Sequence, residues 1–349
     1  MKKIVFLSIS LIIGFVLFFI ALKKVGLENI FYVLSRLTLW QIFLVFGMFL
    51  LGIIIGALRW KIVLNGQYSF PIRFSDILIA KFVGHSINYL TPVAFAGGEP
   101  FKALVLKTRV KVPIDKGITS IVIEEVIFLS VAFLFVVLGV IFLLSRFVLP
   151  LHFIVLLVGL VIFCLLILYI FYSQTISNKN NKGFFIFFIE ILHLDKIDII
   201  NGVKPKIVQI EQEISHFFKK QKAGVAGAGA LAVIEILLLI FSYWLVMIFL
   251  KKYLTIAEAV SINALIHLVA IIPIPASLGS FEWSQAFIFS IFGLGSDSGI
   301  AFSLIVRCIT LAVAGIGILL LIHFEIKALV EKIMAFVQKF EEVIVDKFK

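Results

Sequence analysis

The chain has 349 residues, of which 62% are hydrophobic and 15% charged, whereas soluble domains run at about 45–50% apolar and about 25% charged. That excess excludes a single water-soluble globule, and several uncharged apolar runs are long enough, at about 18 residues or more, to cross a hydrocarbon layer of about 30 Å. The net charge of +11 sits in residues flanking those runs rather than in a basic stripe interleaved with aromatics, so it reads as topological information and gives no sign of a nucleic-acid partner.

Lys2 and Lys3 precede an apolar run from Ile4 to Leu22. The run is longer than a signal-peptide core, and no A-x-A-like cleavage site comes before Lys23 and Lys24, so it is expected to be a retained first span. Further spans are predicted over Leu39 to Leu58, Ile118 to Leu144, Leu151 to Tyr172, Gly224 to Leu250 and Gly299 to His323. Cys164 and Cys308 lie inside apolar runs, with neither a disulfide framework nor a metal spacing such as C-x-x-C. No metal site and no cofactor are expected. Trp40, Trp60 and Trp244 fall near span ends, where interfacial anchoring suits them.

The segment from Arg59 to Lys116 holds nine basic and three acidic residues, and Ser173 to Ala223 holds eight basic and five acidic. The opposite-side loops carry only Lys23, Lys24, Arg36, Arg146, Lys251 and Lys252. The positive-inside rule then places both termini in the cytoplasm of a multi-pass protein of the cytoplasmic (inner) membrane.

Two apolar segments are broken at their centres. The first, from about Phe74 to Leu106, reads SINYLTPVAFAGGEPFKALVL; the second, from about Ile256 to Leu294, reads SINALIHLVAIIPIPASLGSFEWSQAFIF. Pro92, Gly97 and Gly98 in the first, and Pro273, Pro275 and Gly279 in the second, argue for turns within a re-entrant hairpin. Non-helical backbone at membrane depth has to be buried in protein or line a wet cavity, because each unsatisfied polar group facing lipid costs several kcal/mol. The alternative is a kinked full span.

The hairpins share sequence as well as shape. Ser86-Ile87-Asn88 matches Ser261-Ile262-Asn263, and Gly97-Gly98-Glu99 resembles Gly279-Ser280-Phe281-Glu282. The offset that carries Glu99 onto Glu282 carries Glu124 onto Arg307. With three spans between them the hairpins enter from opposite sides. The expected fold is therefore all-α and polytopic, about six full spans plus two re-entrant hairpins arranged as an inverted repeat. Repeat one covers about 4–144 and repeat two about 151–323, with a cytoplasmic amphipathic insert at about 173–223 and a cytoplasmic tail at 324–349. In the insert, a polar turn covers 178–181, and Ile207, Ile210, Ile214 and Phe217 recur at helical spacing. That helix is expected either on the leaflet surface or packed against protein.

Ionisable groups inside membrane segments are costly and mark functional sites by default. Here they are Glu124, Glu125, Glu235 and Arg307 in the spans, with His85, Glu99, His267 and Glu282 in the hairpins. Arg307 lies too deep for easy snorkelling, so it either contacts a lipid phosphate or pairs with Glu124, Glu125 or Glu282. Glu124 and Glu125 point about 100° apart on one helix. Glu99 and Glu282 each open a returning segment, where a carboxylate is favoured by the helix dipole. They either cap those helices or, with Asn88 and Asn263, line a headgroup cavity. His85 and His267 read as packing histidines.

GGEPFKALVL followed by a span bearing Glu124-Glu125, then IPIPASLGSFE and a last span bearing Arg307, resembles the flippase-like transmembrane domain of lysylphosphatidylglycerol synthases, over about Ile4 to His323. The resemblance implies translocation of a phospholipid, anionic or aminoacylated, across the cytoplasmic membrane. It also implies a stand-alone member without the soluble aminoacyltransferase domain, so lysyl transfer is not expected. Glu124-Glu125 stands where the family often has Glu-Arg, which puts ion pairing there in question. A membrane-embedded transferase on a lipid carrier, or a non-transporting partner of a separate lipid-modifying enzyme, are the other readings.

Overall fold

The computed structural model describes residues 37–68, 72–90, 97–177, 183–193, 198–270 and 279–323. Among them the chain is helical, without a strand. The helices are α1 (Leu39–Gln67), α2 (Phe74–Leu90), α3 (Glu99–Val110), α4 (Ile114–Arg146), α5 (Leu151–Tyr172), α6 (Phe184–Ile191), α7 (Asp198–Lys220), α8 (Lys222–Phe249), α9 (Ile256–Val269), α10 (Ser280–Ile291) and α11 (Ser296–His323). The expected first span at 4–22, the polar turn at 178–181, the turn residues Pro92, Pro273 and Pro275, and the tail from 324 lie outside the described residues.

Five of these helices, α1, α4, α5, α8 and α11, are long and apolar enough to cross a membrane, each where a span is expected. The protein is an all-α polytopic membrane protein. One boundary moves substantially. Helix α1 runs past Leu58 to Gln67 because Arg59 and Trp60 are interior residues, 2% and 0% exposed, and do not mark the water interface. The Trp60 indole donates to Ser120 Oγ at 3.1 Å, which corrects its reading as an interfacial anchor.

The first broken segment is a helical hairpin. At its base Arg109 on α3 meets Asp76 on α2 at 2.6 Å, and at its tip the Gly98 N–H donates to Asn88 Oδ1 at 2.6 Å. Contacts at both ends require α2 and α3 to run antiparallel side by side. In the second segment α9 and α10 likewise pack together.

The helix packing has an exchange pattern. Helices α2 and α3 pack together, as do α9 and α10; α3 packs on α4, as α10 does on α11. The hairpin helix α2 packs on α11, the last described helix of the chain's second part, and α9 packs on α4 of the first. Swapping α1 with α8, α2 with α9, α3 with α10 and α4 with α11 returns the same set of contacts, with α1 against α8 mapping onto itself.

The crossed contacts are close. Ser86 Oγ donates to the Ala314 carbonyl at 2.7 Å, and Ser261 Oγ donates to the Gly139 carbonyl at 2.9 Å, so the serines of the matching Ser-Ile-Asn triplets make the same kind of bond. A Cβ at Gly317 would lie 2.0 Å from Ser86 Oγ and 2.3 Å from the Phe82 carbonyl oxygen, and one at Gly139 would lie 2.6 Å from Ala264 Cβ. Lipid tails are as apolar as leucine, so membrane helices associate through such small-residue approaches and interhelical hydrogen bonds rather than through hydrophobic exclusion.

Between α5 and α8 the insert packs on protein. Ile214 and Phe217 of α7 are each 1% exposed and join Val63, Ile123, Ile127 and Phe171 in one apolar cluster. The Glu211 carboxylate of α7 accepts the backbone N–H groups of Gly183, Phe185 and Ile186. A helix start has unpaired donors, and here a neighbouring helix supplies their acceptor.

Two outcomes follow from this packing. Gly317→Val is expected to lower the melting temperature of the purified protein in detergent, by overpacking worth about 1–3 kcal/mol or more. Gly315→Ala, with nothing within 4 Å of its Cβ position, should leave it unchanged. Glu211→Ala should loosen α6 by about 1 kcal/mol, seen as faster proteolytic cutting near 183–193.

Candidate functional site

Each hairpin carries a buried polar centre. The first gathers side chains from five helices around Glu124 of α4, which is 0% exposed. Glu124 Oε1 accepts from Arg59 Nε of α1 at 2.8 Å, from Arg59 Nη2, and from Lys81 Nζ of α2 at 2.7 Å. Lys81 Nζ also lies 3.9 Å from Glu125 Oε1. Lys102 of α3 reaches Glu125 at 2.8 Å and Glu99 at 2.9 Å. Arg59 Nη1 lies 2.9 Å from Glu235 of α8, and the Phe128 ring centroid is 4.4 Å from the Arg59 guanidinium carbon.

The physical reason for this interleaving is the price of burying charge. An unpaired ion in the bilayer interior costs about 2.5–3.5 kcal/mol on insertion scales, and breaking one partner of a buried pair costs about 3–5 kcal/mol. Arg59 and Lys102 each bridge two carboxylates, so no cation is left with a single counter-ion. At the tip, Asn88 Nδ2 donates to Glu99 Oε1 at 3.0 Å while its Oδ1 receives Gly98 N–H. A Cβ at Gly98 would lie 2.0 Å from the Gly84 carbonyl oxygen, so glycine is what lets the returning helix start against α2.

The second centre is smaller. The Arg307 guanidinium of α11 donates through Nε to Glu282 of α10 and through Nη1 to the Tyr89 hydroxyl of α2 at 3.0 Å. Glu282, 0% exposed, also accepts the Gly279 N–H at 2.9 Å, and Gly279 has φ +77°, which favours glycine. Of the pairings open to Arg307, the structure makes the one with Glu282. Tyr89 stands one residue from the end of α2 and Glu282 in the first turn of α10, so the two hairpin tips meet on one guanidinium.

Asn263 of α9 and Gln285 of α10 are both 0% exposed. Neither polar atom of Asn263 has a hydrogen-bond partner, and Gln285 Oε1 has none. Gln285 occupies in the second hairpin the place of Lys102 in the first, at the offset that relates Glu99 to Glu282. His267 Nδ1 lies 2.9 Å from the Asn263 carbonyl oxygen, a packing role as expected.

The structure thus brings Glu99, Glu124, Glu125 and Asn88 into one centre, and Arg307 and Glu282 into another. Glu125 does find a cation, although Glu-Glu replaces Glu-Arg in the sequence. Sequence reasoning missed Arg59, Lys81, Lys102 and Tyr89. It assigned the three cations to the basic tally of a cytoplasmic segment, yet Arg59 is 2% and Lys102 3% exposed. The available signal was position: Lys81 and Lys102 fall inside apolar hairpin sequence, and Lys102 follows Glu99 at helical spacing. Among the described residues no group of three or more His, Cys, Asp or Glu is arranged for a metal ion.

Arg59→Ala is expected to destabilise the protein by about 3–5 kcal/mol, because it takes the ion-pair partner from Glu235 and leaves Glu124 with Lys81 alone. Arg59→Met combined with Glu235→Leu, which leaves Glu124 to Lys81, should recover most of that loss in thermal unfolding of the detergent-solubilised protein.

Known proteins place the chain. A UPF0104 membrane protein of Methanocaldococcus jannaschii is 30% identical over 139 residues, 40% of this chain and 41% of that protein. A UPF0104 membrane protein of Pyrococcus horikoshii is 29% identical over 133 residues, 36% of this chain and 39% of that one. The matched stretch therefore spans about two-fifths of the length of these curated relatives. No solved structure matches the chain. A family model described as the lysylphosphatidylglycerol synthase TM region matches residues 5–318, and the chain, carrying both hairpins and both buried centres within that match, belongs to this family of membrane domains.

Proposed function

We propose that the protein binds a phospholipid or lipid-linked intermediate and moves it across the cytoplasmic membrane, its headgroup passing between two inverted halves while the acyl tails stay in lipid. The observation that carries this reading is the Arg307 guanidinium shared by Glu282 and Tyr89 at the two hairpin tips. Discontinuous segments at corresponding places in two halves point to a binding site at the repeat interface of a transporter. The exchange pattern of the packing, which relates α1–α4 to α8–α11, supports a division into repeats at about 4–144 and 151–323, and the charge bias of the flanking segments is the support for both termini in the cytoplasm.

In this scheme a headgroup phosphate exchanges with the Glu282 carboxylate on Arg307, whose planar fork suits either anion. Asn263 and Gln285 offer buried hydrogen-bonding capacity on the two helices of the same hairpin. Glu99, Glu124, Glu125 and Asn88 set the field on the other side. An anionic or aminoacylated phospholipid is the substrate class, and a separate lipid-modifying enzyme is the partner class that would supply it. The reading assigns lipid handling and no aminoacyl transfer, because the matched region is the transmembrane one.

Movement of a fluorescent phospholipid between leaflets of reconstituted liposomes tests this. Arg307→Lys should slow the wild-type rate by about tenfold, equivalent to roughly 1.4 kcal/mol in the barrier, and Arg307→Ala should abolish it with an unchanged size-exclusion profile. A folded Arg307→Ala protein moving lipid at the wild-type rate would remove the central element. A covalently altered lipid recovered after incubation would instead point to a transferase.

A further inference from the structure

The first buried centre does not balance. Its cations are Arg59, Lys81 and Lys102, and its carboxylates Glu99, Glu124, Glu125 and Glu235, so with every group ionised it carries one negative charge in excess. Among the described residues no other ion pair compensates it, since Arg307 is matched by Glu282. A lone excess charge in a medium of low dielectric is costly, and a carboxyl that takes up a proton is the usual way such a cost is removed.

The contacts say which carboxyl. Glu124 has Arg59 and Lys81, Glu125 has Lys102 and Lys81, and Glu99 has Lys102 and the Asn88 amide. Glu235 has Arg59 alone. That contact, though 2.9 Å long, is off the hydrogen-bonding direction: Arg59 Nη1 and Glu235 Oε2 are both buried without a hydrogen-bond partner. A second observation is independent of the count. Glu124 Oε2 is a fully buried acceptor with no donor, and Glu124 and Glu235 lie on the same guanidinium. A proton on Glu235 removes the excess charge and turns one of the acceptors gathered around Arg59 into a donor.

Glu235 also stands where a proton would have leverage. Helix α8 against α1 is the contact that maps onto itself when the two parts of the chain are exchanged, so the ion pair of Arg59 with Glu235 links one part to the other. A Cβ at Gly56 of α1 would lie 3.2 Å from Glu235 Oε1, so the carboxyl is seated in the groove between the helices. Its side chain keeps 20% exposure, against 0% for Glu124, so it is the less enclosed of the two carboxyls on Arg59. The charged groups facing it are Arg59 from α1, Lys81 from α2, and Glu124 and Glu125 from α4.

We infer that Glu235 is a proton-binding site that couples lipid movement to the transmembrane proton gradient. On loading, an O–H bond forms at the Glu235 carboxyl, the proton coming from water on one side, and the charge attraction to Arg59 is lost. On unloading, that bond breaks, the proton leaves to water on the other side, and the ion pair between the two parts of the chain returns. The coupling rests on the lipid-moving reading; the proton site itself does not.

Two measurements on the full-length protein separate these. Infrared difference spectra of the detergent-solubilised protein between alkaline and acidic buffer should show a protonated-carboxyl band that is missing in Glu235→Gln and present, shifted, in Glu235→Asp. A band unchanged in a folded Glu235→Gln protein overturns the site. In liposomes with an imposed pH difference, the steady-state leaflet ratio of a fluorescent phospholipid should shift by up to about tenfold per pH unit for one proton per lipid, falling to no shift in Glu235→Gln. Wild-type lipid movement indifferent to the pH difference, or driven by a sodium gradient instead, overturns the coupling and leaves translocation standing. No movement under any gradient overturns the proposed function, and the infrared result then decides the proton site by itself.

Discussion

A guanidinium inside a bilayer-bounded interior has no water to solvate it, so the protein has to surround it with anions and hold them still. Arg59 is the clearest case. It is buried to 2% exposure, touches Glu124 and Glu235, and rests against the face of Phe128. Satisfying it draws α1, α4 and α8 together, and Lys81 and Lys102 extend the same demand to α2 and α3. The neighbourhood of the first hairpin is thus organised by electrostatics, where a soluble protein would rely mainly on excluded apolar surface.

The second constraint is steric. Ser86 and Ser261 each spend a hydroxyl on a carbonyl of a helix far away in sequence, and Gly317 and Gly139 allow the backbones near enough for that to happen. The same triplet solves the same packing problem twice. The two hairpins differ where charge is concerned: the first is dense with ions, while the second places Gln285 where the first has Lys102, and keeps one cation, Arg307. The buried centres are therefore unequal on a scaffold whose contacts are paired.

Much of the architecture was legible in the sequence because membrane spans announce themselves by length and apolarity, and because proline and glycine break them visibly. The Ser-Ile-Asn match and the shared offset of Glu99 and Glu124 with Glu282 and Arg307 pointed to the paired packing. The pairing of Arg307 with Glu282 was one of the options read from its depth. What stayed hidden were the partners. A lysine or arginine counted along a sequence looks like a loop charge: nothing local in Arg59 says that its side chain turns inward, and for Lys81 and Lys102 the apolar setting says so only once they are taken out of the tally. Tyr89 was hidden for a different reason, since its contact to Arg307 joins residues 218 apart. Trp60 was misplaced because α1 keeps its helical path beyond the point where hydropathy falls.

The crossed packing of α2 on α11 and α9 on α4 bears on how such a chain is made. Although α3 and α10 pack on the helices that follow them, α2 and α9 each take a main neighbour from far along the chain. The first hairpin waits for a helix that begins at Ser296, about two hundred residues later, so during biogenesis its polar tip has to be sheltered by the insertion machinery or kept at the water boundary. Helix α11 brings the Arg307 that Tyr89 contacts and the Ala314 carbonyl that Ser86 contacts, so a ribosome stalled before it would leave an intermediate whose charged centre can assemble while the end of α2 still lacks those two contacts.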